Sequence, residues 1–437
     1  MRRKIDAQLD AWKEQQEKKP LVITGARQTG KTTSVLEFGR RAYREVVHID
    51  FYRQPHLKAA FADSLEPTVV VANLEALLMR DIPAEGALLF FDEIQDCDQA
   101  VTALKFFCQD APERDVVAAG SLLGVHIART SSFPVGYVDL LRMHPLDFEE
   151  FCWAVGEERA LALAQSSFED WRPCPVHESL MARYREYLLV GGMPEAVALH
   201  AQGASLARVR KAQENVCTMY VADMAKYTTA AEAAKVVACW ESLPAQLAKE
   251  SGSTKFAWKE VTARGKAERL GSAVDWLGYA GIASKCTQVS AGVAPLKSFE
   301  NPSSFKLYVA DTGLLASKYD AGPRDLDATD ARSARFRGGL AENYVMQQLV
   351  AADVTPYYWG MQSTYEVEFV VHAPEGVVPI EVKSGANVSS PSARRFADKY
   401  GSPFIYRVSA RNFGEAGGVR SVPSYAAHLV AASLKSR

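Results

Sequence analysis

The chain has 437 residues, enough for about three domains, and its 50 basic and 52 acidic residues leave a net charge of −2 that excludes a uniformly basic, polyanion-seeking protein. Hydrophobic residues make up 48%, a share that supports sizeable cores, yet no apolar run approaches the roughly 20 residues of a membrane span, so a cytoplasmic protein with no membrane partner is expected. The seven cysteines are scattered without a C-x-x-C pair, which argues against a disulfide framework or a zinc site and for buried, reduced thiols.

Residues 1–19 predict an amphipathic helix with Ile5, Leu9 and Trp12 at helical spacing, ended by Pro20. The stretch begins basic but lacks an apolar core, so no secretory leader is expected. From Leu21 the pattern becomes strand, glycine loop, helix. Apolar runs at 46–50 (VVHID), 68–73 (TVVVAN), 87–92 (ALLFFD) and 115–120 (DVVAAG) predict further strands. Strands alternating with helices imply an α/β fold with a parallel sheet.

The stretch LVITGARQTGKTT contains G-x-x-x-x-G-K-T from Gly25 to Thr32, after an apolar strand and before a helix. Gly25 and Gly30 let the backbone curl until its N–H groups face phosphates, and the helix N-terminus adds a favourable dipole. Gly25, Ala26, Arg27, Gln28, Thr29, Gly30, Lys31, Thr32 and Thr33 are thus expected to hold ATP. Lys31 should reach the β- and γ-phosphates and Thr32 should ligate Mg2+. Arg27 and Gln28 occupy variable positions and face nucleotide, a neighbouring subunit or solvent.

ALLFFDEIQD ends an apolar strand on two carboxylates. Asp92 suits a Mg2+ carboxylate, direct or through water, and Glu93 suits the base for the attacking water. The C-terminal edge of such strands is where ligands bind in open α/β sheets. Ser121, after the strand DVVAA, is placed by position as a sensor of the γ-phosphate or the water. Arg129 and Arg142 are the candidates for a charge-stabilising arginine, and the sequence does not choose between them.

Residues 152–250 read as helical, with GGMPEA (191–196) as the break. Residues 256–286 predict a helix-turn-helix with Val274, Leu277 and Tyr279 on its second helix, and strands near 282–289 and 304–310 would form a wing. Lys255, Lys259, Arg264, Lys266 and Arg269 make this stretch locally basic, which suits either phosphate contacts to DNA or a solvated protein scaffold. The polar stretch 320–339 reads as a linker or mobile loop.

EVEFVVHAPEGVVPIEVKSG (366–385) predicts a β-hairpin turning at Pro374-Glu375. That register opposes Glu368 to Glu381 and Glu366 to Lys383, with Val367, Phe369, Val371, Val378, Ile380 and Val382 on the other face. Opposed carboxylates call for a proton or a cation, and Mg2+ suits them. Glu342 could approach the same point, and Lys383 would stand beside the metal. This acid…E-x-K arrangement resembles the PD-(D/E)XK nucleases. The alternatives are an active nuclease, or an ion-paired scaffold of the same fold.

LVITGARQTGKTT, LLFFDEIQD, AAGSLLG, MHPLDFEEF, GGMPEAV, LYVADTGLL, GGLAENYVMQQL and EVEFVV…PIEVKSG occur in this order. Together they resemble the prokaryotic AAA-like P-loop ATPases that carry a C-terminal DUF4143 domain. The resemblance implies an AAA-like ATPase domain over 1–155, a helical lid region over 156–250, a winged-helix-like domain over 251–320 and a restriction-endonuclease-like α/β domain over 330–437. It implies an ATPase whose Lys31, Glu93 and Ser121 act on ATP and whose Thr32 and Asp92 hold Mg2+. A homo-oligomer is implied too, since such sites often use a neighbour's arginine. Two residues depart from the pattern: Tyr137 follows Gly136 where an arginine is usual, and Glu368 stands where aspartate is usual. Hydrolysis would rearrange the winged-helix and nuclease-like region on DNA. The alternative is a nucleotide-dependent switch that binds a protein partner and carries an inactive nuclease-like scaffold, with Glu342, Glu368, Glu381 and Lys383 as its remnant site.

Overall fold

A computed structural model describes the chain except residues 126–132, 227, 249–253, 328–329, 362–364, 385–390 and 436–437, together with the side chains of 331 and 332. The chain divides into two units, Met1–His144 with Tyr279–Gly281, and Pro145–Gly278 with Ile282–Arg437.

The first unit is built on strands β1 (Leu21–Thr24), β2 (Glu45–Asp50), β3 (Ala87–Asp92), β4 (Asp115–Ala119) and β5 (Asp139–Arg142). They form one parallel sheet in the order β2-β3-β4-β1-β5. β3 is apolar at successive positions because both faces are covered. Leu89 and Phe91 join one core with Val47, Ile49 and Leu104. Leu88 and Phe90 join the other with Leu21, Ile23, Val35 and Phe38. Helices α1 (Lys4–Lys13), α2 (Lys31–Ala42), α3 (Pro67–Leu78) and α4 (Asp98–Asp110) accompany the sheet. Ile5, Leu9 and Trp12 of α1 are buried.

The run TVVVAN is helix rather than strand. Pro67 stands in the first helical turn, where its missing N–H is not needed. Val70, Val71 and Leu74 then share one buried face while Val69 is exposed, so burial at helical spacing overrides valine's β-propensity. β5 was not among the expected strands, because Leu140 is exposed and the run is only four residues long.

The second unit begins with helices α5 (Phe148–Ala154), α6 (Glu158–Glu169), α7 (His177–Val190), α8 (Pro194–Ala201), α9 (Leu206–Lys226) and α10 (Ala230–Leu247). They are followed by α11 (Trp258–Val261), α12 (Ala267–Tyr279), β6 (Ala283–Val289), β7 (Glu300–Val309), α13 (Thr312–Lys318), α14 (Pro323–Asp327) and α15 (Ala331–Ala351). β8 (Tyr357–Met361), β9 (Tyr365–Ala373), β10 (Gly376–Val382), α16 (Pro391–Tyr400), β11 (Ile405–Ser409), β12 (Gly414–Ala416), β13 (Val419–Pro423) and α17 (Ala427–Ser433) complete it.

Its strands form a single mixed sheet in the order β12-β13-β11-β10-β9-β8-β6-β7. The hairpin β6–β7, expected as a separate wing, continues into this sheet through the parallel pairing of β6 with β8. The division expected at 320–330 therefore falls within the span of one sheet, between β7 and β8. The stretch 320–339, expected as a linker, holds α14 and the first turns of α15.

Buried polar side chains fix how these elements meet. Asp311 caps α13 through the Leu314 N–H (2.9 Å) and accepts the Gly192 N–H (2.5 Å) and Gln347 Nε2 (3.2 Å). Gly191, with φ 69°, has no room for a Cβ, which would lie 2.3 Å from Asp311 Oδ1. The GGMPEA break thus serves a close approach as well as a turn. Asn343 of α15 holds both the N–H and the carbonyl of Val309, at 2.8 and 2.9 Å. Among the described residues no helix is long and apolar enough to cross a membrane.

Candidate nucleotide site

The glycine loop joins β1 to α2, at the C-terminal edge of the parallel sheet. Gly25 has φ 140°, and a Cβ there would lie 2.1 Å from the Met143 carbonyl oxygen. Gly30 has φ 95° and precedes the first turn of α2. Both positions therefore need glycine. Thr29 is buried, and its hydroxyl donates to the Ala26 carbonyl at 2.9 Å. Gln28 and Thr33 are exposed and Arg27 half-buried.

The buried Lys31 ammonium donates to the carbonyls of Gly25 (2.9 Å) and Ala26 (2.8 Å). Burial pushes its pKa down to about 8, opposed by the carboxylates of Glu93 and Asp92. The Thr32 hydroxyl donates to Asp92 Oδ2 at 2.8 Å, which ties the helix start to the end of β3. Asp92 Oδ1 accepts the Glu93 N–H at 3.0 Å. Glu93 adopts the left-handed region, φ 49°, directly after the strand. One of its carboxylate oxygens accepts from Gln95 Nε2 (2.6 Å) and from the Ser121 hydroxyl (3.3 Å). The structure thus gathers Lys31, Thr32, Asp92, Glu93 and Ser121 at one edge.

Arg142 is exposed at the end of β5, in register with Thr24. Arg129 lies outside the described residues. Three residues at this edge were not singled out in the sequence. Arg3 precedes α1 and donates to the Thr29 carbonyl (2.9 Å) and the His144 carbonyl (2.8 Å), bracing the loop from a distant stretch. Gln95 holds Glu93, and its own Oε1 is buried with no hydrogen-bond partner among the described residues. His48 lies 3.3 Å from Asp92 Oδ2. Only Gln95 was readable locally, as the polar residue two positions beyond Glu93.

The acidic hairpin forms a second cluster, in the other unit. β9 and β10 pair with Gly376 opposite Ala373 and Ile380 opposite Phe369, the register expected from the turn. The ladder stops there, one step short of Glu368 and Glu381. A bulge sets Glu368 and Phe369 of β9 against Tyr358 of β8, between the pairs Trp359–Val367 and Tyr357–Val370. It interrupts the expected alternation: Val367 and Val370 share one core cluster, and Phe369 packs near Tyr308. Glu368 Oε2 accepts the Val382 N–H at 3.3 Å where the ladder has opened.

The charges also pair differently from the expected Glu366–Lys383 contact. Lys383 lies 2.8 Å from Glu381 and 3.9 Å from Glu368. Glu366 pairs at 2.6 Å with Lys306 of β7, whose side chain is fully buried. Lys306 also lies 3.4 Å from Glu342, which accepts the Tyr308 hydroxyl at 2.9 Å. Burial disfavours the Lys306 charge, but Glu342, Glu366 and Glu368 outweigh it and raise its pKa. Burial pushes Glu368 up to about 7, with Lys383 opposing and Glu342 adding. Among the described residues, no three of these glutamates bring ligand oxygens within 4.8 Å of one another. Lys306 could not be found from the hairpin alone, because it sits 60 residues earlier on a strand expected to belong elsewhere.

The thiols at Cys97, Cys152, Cys174, Cys239 and Cys286 are buried and unpaired, those at Cys108 and Cys217 half-buried and unpaired.

Residues 17–152 match the AAA domain family. Residues 181–325 match a domain of unknown function, DUF8612, and residues 337–424 another, DUF4143. No curated protein sequence matches the chain. Among solved structures, the chain is similar to a Walker-type ATPase of Pyrococcus abyssi, with 12% identity, a TM-score of 0.43, and 73% of this chain and 95% of that one covered. It is similar to the ORC2 protein of Aeropyrum pernix, solved as ADPNP–ADP complexes, at 12% identity and TM-score 0.37, covering 72% and 92%. The Aeropyrum pernix ORC1 protein in complex with DNA matches at 13% identity and TM-score 0.29, covering 72% and 90%.

Proposed function

From the premise that the chain carries an AAA domain over residues 17–152 and a DUF4143 domain over residues 337–424, we propose that it binds ATP with Mg2+ and hydrolyses it. The observation that carries this reading is the 2.8 Å bond from Thr32 to Asp92, which joins the phosphate loop to the acidic strand end. Lys31 exchanges its two carbonyl partners for phosphate oxygens when ATP occupies the loop. Thr32 and Asp92 are the residues that would hold Mg2+, which neutralises phosphate charge. Glu93 takes a proton from the attacking water as the bond to the leaving ADP oxygen breaks, giving ADP and inorganic phosphate. Ser121 and Gln95 hold Glu93 in place for that step.

Hydrolysis, in this proposal, drives rearrangement of the remaining domains: the helical region, the winged-helix-like region and the nuclease-like region. DNA is the proposed target. It is supported by the exposed Lys255, Lys259, Arg264, Lys266 and Arg269 around α11 and the start of α12. A cavity of about 700 Å³ there is lined by Phe256, Trp258, Lys259 and Lys266. Within the DUF4143 region the ion pairing favours the second reading, a catalytically inactive nuclease-like scaffold. Lys306 stands between Glu342 and Glu366, and Lys383 beside Glu381 and Glu368, so lysine ammonium groups take the place beside these acids that a metal would otherwise fill. A protein partner belongs to that switch reading, whereas a homo-oligomer goes with the ATPase site, which a neighbour's arginine would complete.

The test is ATP turnover by the full chain with and without single- and double-stranded DNA. Turnover is expected in the unaltered protein and should fall at least about 100-fold in Lys31→Ala, a loss of the size seen when one charge-stabilising group is removed. Turnover retained in that variant refutes the site. Stimulation by DNA supports the first target; turnover indifferent to DNA favours the switch. DNA cutting with Mg2+ or Mn2+ that Lys383→Ala abolishes would reinstate the nuclease.

A further inference from the structure

Asp92 shares its carboxylate with a neighbouring strand that the phosphate-loop motifs do not involve. β2 runs parallel to β3, with Asp50 in register with Asp92 and His48 with Phe90. The His48 ring stacks on Phe90, with centroids 4.9 Å apart and planes 12° apart. That stacking fixes the ring while Nε2 points to Asp92 Oδ2, 3.3 Å away. One ligand atom from each of His48, Asp50 and Asp92 lies within 4.8 Å of the other two, the one such set of His, Cys, Asp or Glu among the described residues.

The hydrogen bonds around the group orient it without filling it. Asp50 Oδ1 accepts the N–H groups of Tyr52 (3.0 Å) and Arg53 (2.9 Å). Among the described residues, the ion partner of Asp50 Oδ2 is the largely exposed Arg53 guanidinium at 3.6 Å. Asp92 Oδ1 is occupied by the Glu93 N–H, which leaves Oδ2 facing both Thr32 and His48.

We propose that His48 and Asp50 join Thr32 and Asp92 in holding the divalent cation that accompanies ATP, and that this mixed nitrogen–oxygen site prefers a first-row transition cation to Mg2+. The inference rests on the ATPase reading above. Mg2+ takes oxygen ligands and sheds water reluctantly. An imidazole nitrogen is a ligand better suited to first-row transition metals. His48 offers that nitrogen at the position where the strand edge meets Thr32.

The test uses the full chain grown with 15N-histidine and loaded with Mn2+ and the non-hydrolysable analogue ADPNP, read by pulsed EPR. A 15N modulation on the Mn2+ signal is expected. It should vanish in His48→Phe, which retains an aromatic ring to stack on Phe90, and in His48→Gln should the first variant fold poorly. Mn2+ binding to the nucleotide complex should weaken at least about tenfold, the loss that removal of even an indirect metal partner produces. More Mg2+ should be needed to displace Mn2+ from the unaltered protein than from either variant. Mn2+–ADPNP bound without 15N modulation, or with a modulation that survives both substitutions, overturns the ligation by His48 and leaves the ATPase reading intact. Equal displacement by Mg2+ overturns the preference. Failure of the unaltered protein to bind Mn2+–ADPNP overturns the inference and the ATPase reading together.

Discussion

An ammonium group with no exposed surface survives at Lys306 because two carboxylates face it, at 2.6 and 3.4 Å. Removing one member of a buried ion cluster strands the others, at about 3–5 kcal/mol. Lys306→Met is therefore expected to lose stability on that scale in urea unfolding, while a double change that also replaces Glu366 by Gln recovers part of it. Glu368 gives a pH signature. Its pKa rises on folding from the usual 4.5 to about 7, so the folded state binds the proton more tightly than the unfolded chain. Stability is then undiminished below about pH 4.5 and declines as pH rises towards 7, by about 3 kcal/mol in total. Unfolding followed from pH 4 to 8 should show Glu368→Gln gaining on the unaltered protein through that window and not below it. At the nucleotide site, Glu93→Gln should retain nucleotide binding but slow turnover by about 10²–10⁴-fold, the worth of a positioned base. Fluorescent-nucleotide titration beside a phosphate-release assay separates the two effects.

Elements were legible where chemistry and burial agreed. The loop from Gly25 to Thr32 and the strand ending at Asp92 could be read directly, because the first needs glycines at set places and the second needs unbroken apolar character. The same demand makes the loop intolerant: Gly25→Ala would force a Cβ against the Met143 carbonyl at φ 140°. It should lower the melting stability by about 1–3 kcal/mol and reduce ATP affinity, as a thermal scan with and without nucleotide would reveal. α3 was not legible, since its valines suit a strand and only their burial on one side makes them a helix. The turn and register of β9–β10 were legible from the APEG tip. The bulge at Glu368–Phe369 was not, because it is set by pairing with β8 across a different neighbour. That one extra residue redirects the acids, so charge pairs read from a two-strand hairpin differ from those of the sheet. Arg3 and Lys306 act from remote stretches of chain, which no local pattern reveals.

At the scale of the molecule, a net charge of −2 says little about DNA, and the basic residues around α11 and α12 carry that proposal alone. Neutralising Lys266 and Arg269 together should weaken binding similarly across DNA sequences and reduce the salt slope by about 2, one for each phosphate left without its cation. Anisotropy titrations between low and moderate salt would measure both. β8 has a different consequence for how the chain can be cut. It takes β6 as its parallel neighbour on one side and β9 on the other. A fragment begun at residue 330 would keep β8 and β9 but lose β6, β7 and Lys306. It would present a row of unsatisfied backbone groups, the template on which strands of separate molecules add to one another. It would also carry Glu342 and Glu366 stripped of their counter-ion. Such a fragment is expected to aggregate in light scattering, while one begun at residue 145 remains dispersed; a proteolytic nick near residue 322 should leave both pieces co-migrating on a sizing column, because the fracture line of the peptide chain does not follow that of the sheet.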